Sequence, residues 1–179
     1  SPPLPRKKIP KPDIERHRWN VGDVVAGQLV HSYDSEKWFY NKFVLFKVIE
    51  IKKTSLSHIK PDLVYDEWVY GLMYDWVGDE LIPAEQVNSL DYCPKLLQLK
   101  PGDIEWFNIH NKKAEGFELL GLNWVKRMIK FTLIESDENF IIPPDLKYHL
   151  LFGTGGNIFT RLKTHEDYFK GVYEKYKKV

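Results

Sequence analysis

The sequence has a single cysteine and no long hydrophobic segment in its 179 residues. One thiol, Cys93, excludes a disulfide within the chain and any zinc site that needs several cysteines. No apolar run approaches the roughly 20 residues of a transmembrane helix, and no charged-then-apolar leader opens the chain. These absences predict a protein without a membrane span, from a reducing compartment such as the cytosol or the nucleus.

Motifs of the common enzyme classes are also missing. The chain has no G-x-x-x-x-G-K-[ST] phosphate loop, no H-E-x-x-H, no G-x-S-x-G and no C-x-x-C. The glycine-rich residues 153–156 lie outside any βαβ unit, so a hinge is a better interpretation than a phosphate cradle. The six histidines lack metal-ligand spacing, and no pair of carboxylates stands out as an acid and a base. We therefore expect no enzyme activity, metal or cofactor.

Composition and charge indicate a globular protein with basic ends. Apolar residues make up 43% of the chain and aromatic residues 15%, which is enough for a real core. Residues 1–18 carry six basic and two acidic side chains, and residues 161–179 carry six and three, so the segment between them has a net charge of −6. Such ends are typical of proteins that contact phosphate with their termini. A solvated tail and an ordinary cationic helix end are the alternative interpretation.

Hydrophobic patterning predicts two short-stranded β units and a terminal helix. Residues 1–18 are proline-rich at their start and predict an extended basic arm. Residues 19–90 begin with a turn at V-G-D and continue into a strand. Trp38–Ile51 predicts a long strand with a bend near Asn41–Lys42. Residues 91–160 repeat the pattern after P-G-D, eighty positions later. Many short strands of this kind are typical of small barrels.

The last segment, residues 161–179, predicts a helix that packs on the barrels. Thr164 is the expected N-cap, with Asp167 three residues later as its capping partner. Aromatic and aliphatic side chains at helical spacing then form one apolar face: Tyr168, Phe169, Val172, Tyr173 and Tyr176.

The most informative segment is residues 68–87, W-V-Y-G-L-M-Y-D-W-V-G-D-E-L-I-P-A-E-Q-V. Both alternating faces of its first half are apolar, which predicts a strand that is covered on both sides. Asp75, Gly78 and Asp79 predict a turn after it. The turn leaves Tyr74 and Trp76 beside two carboxylates, and a methylated ammonium binds to aromatic faces with a carboxylate nearby. A hairpin with core aromatics is the alternative.

Several motifs together resemble a known family. V-G-D-V-V-A at 21–26, W-F-Y at 38–40 and Y-G-L-M-Y-D at 70–75 are similar to a Tudor barrel. With the second P-G-D and the closing helix, the order of parts over residues 19–179 resembles the tandem Tudor module of DNA-damage checkpoint adaptors, in a divergent, fungal-like form. The resemblance implies a mainly β fold of two tandem small Tudor-like (SH3-like) β-barrels with a C-terminal helix. It also implies a nuclear, non-catalytic module that binds methylated histone lysines and, in some members, nucleic acid.

The resemblance also implies the residues of an aromatic cage. Tyr40 and Tyr74 match cage aromatics, and either Asp75 or Asp79 matches the acidic turn residue. The family usually has tryptophan after V-V-A, where this chain has Gly27 and Gln28. Each ring contributes about 0.5–2 kcal/mol, so we expect weak methyl-lysine binding unless another aromatic such as Tyr33, Trp38 or Trp76 replaces it. The candidate cage residues are Trp38, Tyr40, Tyr74, Asp75, Trp76 and Asp79.

Lysine and arginine clusters predict DNA as a second partner. Binding through them would be independent of base sequence and steeply dependent on salt. The candidate residues are Arg6, Lys7, Lys8, Lys52, Lys53, Lys126, Arg127, Lys130 and Lys177. We therefore expect a chromatin-binding module that contacts DNA and, weakly, a methylated histone peptide. The alternative is a pure protein–protein adaptor with neither activity, built on exposed aromatics such as Trp106 or Trp124, although both fit better in a core.

Overall fold

The computed structural model describes residues 19–30, 35–53, 67–94, 117–122, 129–150 and 158–177. Within them the helices and strands are β1 Val24–Leu29, β2 Phe43–Lys53, β3 Glu67–Gly78, α1 Ala84–Val87, β4 Phe117–Gly121, β5 Ile129–Glu135, β6 Tyr148–Leu150, α2 Ile158–Thr164 and α3 Glu166–Lys177. None of the helices in these ranges is long and apolar enough to cross a membrane.

The strands form one sheet in the order β5-β1-β2-β3-β4-β6. From β5 across the sheet to β4, each strand is antiparallel to the next. The edge strand β6 pairs with β4 in the parallel direction. The prediction of a mainly β protein is confirmed. Two tandem barrels are not shown, because β5 pairs with β1 and β4 pairs with β3, which joins strands from both predicted units. Among the described residues the sheet is open, with β5 and β6 as its edges. The division of the chain into 19–90 and 91–160 stays a prediction.

Side chains cover both faces of this sheet. One face packs against α2 and α3 in a cluster that includes Phe46, Met73 and Phe169. The opposite face carries two smaller clusters, which are covered by side chains from segments 82–92 and 140–148. Strand β3 contributes alternately to both faces, since its odd-numbered apolar residues face the helices and its even-numbered ones face away. The prediction that this strand is covered on both sides is confirmed.

The predicted turn at Asp75–Gly78 is wrong, because β3 continues to Gly78 and bends at 79–80. The Asp75 N–H donates to the carbonyl of Asp91 at 2.8 Å, which holds the backbone extended there. Gly78 has no positive φ. A Cβ at this position would lie 2.3 Å from the ring of Trp76, so close packing, and not a turn, requires glycine.

Other local predictions are confirmed in part. Gly22 has φ 98° in the predicted turn before β1, and Asn41 has φ 61° at the predicted bend. The predicted start of the next strand at Trp38 is wrong, because residues 35–41 form a turn and β2 begins only at Phe43. The C-terminal helix has the predicted apolar face, with Phe169 and Val172 in the core. Its start differs, because Thr164 ends α2 and α3 begins at Glu166. The basic arm at 1–18 lies outside the described residues.

Two glycine substitutions test the packing at the end of β3. Gly78→Ala should lower the free energy of unfolding by about 1–3 kcal/mol, because the methyl group must displace the buried Trp76 ring. Gly171→Ala is the matched control: it lies in α3 with nothing within 4 Å of its added Cβ, and alanine should stabilise the helix by about 0.5–1 kcal/mol. Urea unfolding measures both. Equal effects would contradict the packing role of Gly78.

Candidate functional site

The predicted cage residues lie on two different faces of the sheet. Tyr74 and Trp76 belong to the cluster on the face away from the helices. Asp75 and Asp79 bond to tyrosines of α3 on the helix-covered face, and Trp38 packs against the core of that same face. The six residues are therefore not brought together in one cage.

Tyr74 and Trp76 have the surroundings of core aromatics. They are 7% and 3% exposed. The Tyr74 ring lies 5.0 Å from the ring of Tyr92. Burial, and then the neighbouring Tyr92, raise the pKa of Tyr74. With so little exposed ring surface, neither residue offers a free aromatic face to a ligand.

On the helix-covered face, aromatic and charged side chains instead come together where β2 begins and β3 ends. The Tyr173 hydroxyl of α3 donates to Asp79 Oδ2 at 2.7 Å. The Lys42 ammonium pairs with Asp79 Oδ1 and lies 4.6 Å from the centre of the Tyr173 ring. The Trp38 ring lies 6.4 Å from that of Tyr173. We call Trp38, Lys42, Asp79 and Tyr173 the Asp79 site.

Register explains why Lys42 and Asp79 meet. Phe43 pairs with Gly78 across β2 and β3, so the residues just outside this pair, Lys42 and Asp79, lie opposite each other at the ends of adjacent strands. Opposite charges at such cross-strand positions attract. Helix α3 then adds the Tyr173 ring from above.

The Asp79 site pairs one carboxylate with one ammonium group, that of Lys42, and a second lysine, Lys177, lies beside it. The hydrogen bond from Lys42, followed by that from Tyr173, lowers the pKa of Asp79. Burial, the largest single influence on Lys42, lowers its pKa, but hydrogen bonds to Asp79 and Tyr173 outweigh it and leave the pKa above its ordinary value. Lys177 Nζ lies 5.5 Å from the centre of the same tyrosine ring. At neutral pH the site thus holds the charged Lys42 ammonium against an ionised carboxylate.

The turn at 35–42 supplies the aromatic wall of this site. Trp38 is half-buried, and its indole Nε1 is buried without a hydrogen-bond acceptor among the described residues. Tyr40 lies in the same turn and is half-buried, with its backbone N–H bonded to the carbonyl of Lys37. Of the predicted cage residues, Trp38 and Asp79 therefore belong to the Asp79 site, and Tyr40 lies between Trp38 and Lys42 in the chain.

A second tyrosine–aspartate bond lies further along the same helix and strand. The Tyr168 hydroxyl donates to Asp75 Oδ1 at 2.7 Å. Burial, and then this hydrogen bond, raise the pKa of Tyr168. Arg161, which is 5% exposed, lies close by, with one guanidinium nitrogen 3.9 Å from Cys93 Sγ. These contacts fasten α2 and α3 to β3 and to the segment that follows α1.

Four of the nine candidate nucleic-acid residues lie within the ranges that the structure describes. Lys130 and Lys177 are exposed, and Lys52 is exposed beside Glu50 at 3.5 Å. Lys130 pairs with Gln28, which pairs with Phe43, so Lys130 lies at the same end of the sheet as the Asp79 site. Lys52 lies nine residues further along β2, about 30 Å away at 3.3 Å per residue. Lys53 ends β2. Outside the described residues lie Arg6, Lys7, Lys8, Lys126 and Arg127.

Lys42 and Tyr173 were not among the residues predicted for the site. A signal for Tyr173 was present, because three tyrosines on one apolar helix face carry hydroxyls that need acceptors when they are covered. Asp75 and Asp79 are the acceptors that two of these hydroxyls find in the structure. Lys42 gave no such signal, since a single lysine at a strand end is ordinarily solvated. In the described ranges no group of three His, Cys, Asp or Glu side chains could hold a metal ion.

A comparison of the chain with protein-family models, curated proteins and solved structures finds no match. The interpretation of the Asp79 site therefore depends on its own chemistry.

Tyr168→Phe tests how the helix is held against β3. Loss of the hydroxyl leaves the Asp75 carboxylate without its donor, so the free energy of unfolding should fall by about 1–2 kcal/mol. Tyr176→Phe is the matched control, because this half-buried tyrosine on the same helix has no hydroxyl hydrogen bond among the described residues. Urea denaturation measures both variants. A Tyr168→Phe protein as stable as the control would contradict the role of this bond.

Proposed function

We propose that the protein is a non-catalytic chromatin-binding module that recognises a methylated lysine at the Asp79 site. One observation carries this proposal. The ammonium group of the chain's own Lys42 already lies between the Asp79 carboxylate and the face of the Tyr173 ring. This is the chemistry that binds methylated lysine, since ring faces attract the cation and the acid complements its charge.

The proposed cage differs from the one predicted from sequence. Asp79 supplies the carboxylate, Tyr173 and Trp38 supply rings, and Tyr40 stands beside them in the turn. Tyr74 and Trp76 are left out because they are buried on the opposite face. A methylated ammonium is less strongly hydrated than an unmodified one, so transfer from water to the rings favours the methylated form. Two tandem Tudor barrels, a nuclear location and a role in a DNA-damage checkpoint adaptor belong to this proposal as well.

The test is a titration of histone-tail peptides that carry one trimethyllysine, beside their unmodified versions. The protein should prefer a methylated peptide. Asp79→Asn should weaken its binding about tenfold, or ~1.4 kcal/mol, because the carboxylate charge is lost. Asp167→Asn is the matched control, as an exposed acid on α3 outside the site, and should leave the affinity unchanged.

Two results would overturn this function. Equal affinity for methylated and unmodified peptides would remove the cage from the proposal. Equal affinity of the wild type and Asp79→Asn for a methylated peptide would show that the peptide binds elsewhere. Binding to neither peptide nor DNA would favour the pure protein–protein adaptor.

DNA is the second candidate partner, favoured by lysines from separate elements at one end of the sheet. Lys130 of β5 is exposed and pairs with Gln28 of β1, which in turn pairs with Phe43 of β2. The Lys177 ammonium lies 5.5 Å from the centre of the Tyr173 ring. Glu36 and Glu80 are exposed near the same strand ends, so phosphate contact would depend on individual lysines and not on a uniformly positive surface. Such contact would place DNA beside the Asp79 site, as a nucleosome presents DNA beside histone tails.

The salt dependence of DNA binding tests this candidate. Affinity for a short duplex should fall steeply with salt, and Lys130→Ala should weaken binding and lower the slope of log K against log salt by about 1. Lys52→Ala, at the far end of β2, is the control and should change neither. Affinity that is independent of salt, or equal loss in both variants, would contradict a DNA contact at this end.

A further inference from the structure

The backbone around Lys42 holds this residue in one place. The Lys42 N–H donates to the carbonyl of Phe39 at 3.1 Å, and its carbonyl accepts from the N–H of Leu29 at 3.2 Å. Asn41, with φ 61°, donates its N–H to the carbonyl of Leu29 at 2.7 Å. These bonds fasten the turn to the end of β1. The Lys42 side chain therefore starts from a fixed point, one residue from the strand pair that leads to Asp79.

The side chain then fills the space where a ligand ammonium would go. Its ammonium contacts both groups that define the Asp79 site, the carboxylate and the Tyr173 ring. The Lys42 side chain is 20% exposed, whereas that of Asp79 is 49% exposed, so the lysine is the more enclosed partner. An incoming methylated lysine needs the same carboxylate and the same ring face. The two ammonium groups cannot both have them.

We infer that Lys42 is an internal competitor that occupies the Asp79 site and keeps its affinity for a methylated lysine low. This inference rests on the proposed function and adds how that site is controlled. The observed affinity of a site that is open for only a fraction of the time is reduced by that fraction. Any event that removes the Lys42 charge or draws its side chain away therefore strengthens ligand binding.

Lys177 is a weaker candidate for the same role. Its ammonium is 5.5 Å from the centre of the Tyr173 ring, against 4.6 Å for Lys42. It has no ion pair with Asp79 within the described residues, and it is exposed near the end of α3. Lys42 alone combines the ring contact with the carboxylate contact.

The decisive variant is Lys42→Met, which keeps an unbranched apolar side chain and removes the ammonium. Its affinity for a trimethyllysine histone-tail peptide should rise about tenfold over the wild type, if the lysine occupies the site about nine-tenths of the time. Lys42→Arg is the matched control, because it keeps a cation beside Asp79 and should stay within about twofold of the wild type. Tetramethylammonium chloride serves as a second probe, with the ligand's head group and no peptide.

A measurement on the wild type keeps the inference open to refutation even if Lys42→Met fails to fold. Because the Lys42 nitrogen lies 4.6 Å from the centre of the Tyr173 ring, the NMR signals of the protons on the adjacent carbon should be shifted upfield in the free protein. Saturation with tetramethylammonium should return them to the position of a solvated lysine. Signals that stay unmoved while the ligand binds would overturn the inference.

The outcomes also separate the inference from the function. Lys42→Met with equal or weaker affinity, while the wild type binds in an Asp79-dependent way, overturns the competitor and leaves the reader function standing. No binding of peptide or tetramethylammonium to any variant overturns both. Binding to Lys42→Met but not to the wild type supports both.

Discussion

The double burial of β3 is the constraint on which the candidate site depends. A strand that packs on both faces must send successive side chains in opposite directions. Asp75 therefore faces the helices while Tyr74 and Trp76 face the other cluster. The aromatic residues closest to the acids in sequence are thus the ones that cannot join them. The ring that does meet Asp79 comes from the C-terminal helix, and a second ring, from the turn before β2, lies 6.4 Å from it.

Two tyrosine–aspartate hydrogen bonds connect this sheet to α3. Both are 2.7 Å long. Tyr168 bonds to Asp75 within β3, and Tyr173, five residues further along α3, bonds to Asp79, which directly follows β3. The bond at Asp75 satisfies a half-buried carboxylate, whereas the Asp79 side chain stays 49% exposed. The bond at Asp79 has a further consequence, since it sets the Tyr173 ring beside the carboxylate. Helix docking and completion of the Asp79 site are therefore the same event.

In the proposed function, a stabilising contact and a binding site use the same atoms of the Asp79 site. A salt bridge between partly exposed groups contributes at most about 1 kcal/mol to stability, so it can be exchanged for another ion pair at little cost. Lys42 is held by such a contact together with one ring face. Under our proposal, a partner with a better-matched cation replaces it without unfolding the sheet. A fully buried ion pair would not allow this exchange.

Local chemistry in the sequence determined much of the fold: the Gly22 turn, the bend at Asn41, the strand covered on both faces and the apolar face of α3. These features depend on residues close together in the chain. The mistaken turn at Asp75–Gly78 had a larger effect, because a strand that runs through these residues separates Tyr74 and Trp76 from the acids by its two-residue period. A correct strand end would have predicted that separation.

The tertiary structure alone decided what meets Asp79. Lys42 lies opposite Asp79 because of the register between β2 and β3. Tyr173, 94 positions after Asp79 in the chain, reaches it because α3 docks on the sheet. The joining of β5 to β1, across the two predicted units, was decided in the same way. The physical reason is common to all three: periodicity shows which residues share a face, but pairing and docking between distant segments choose what covers that face.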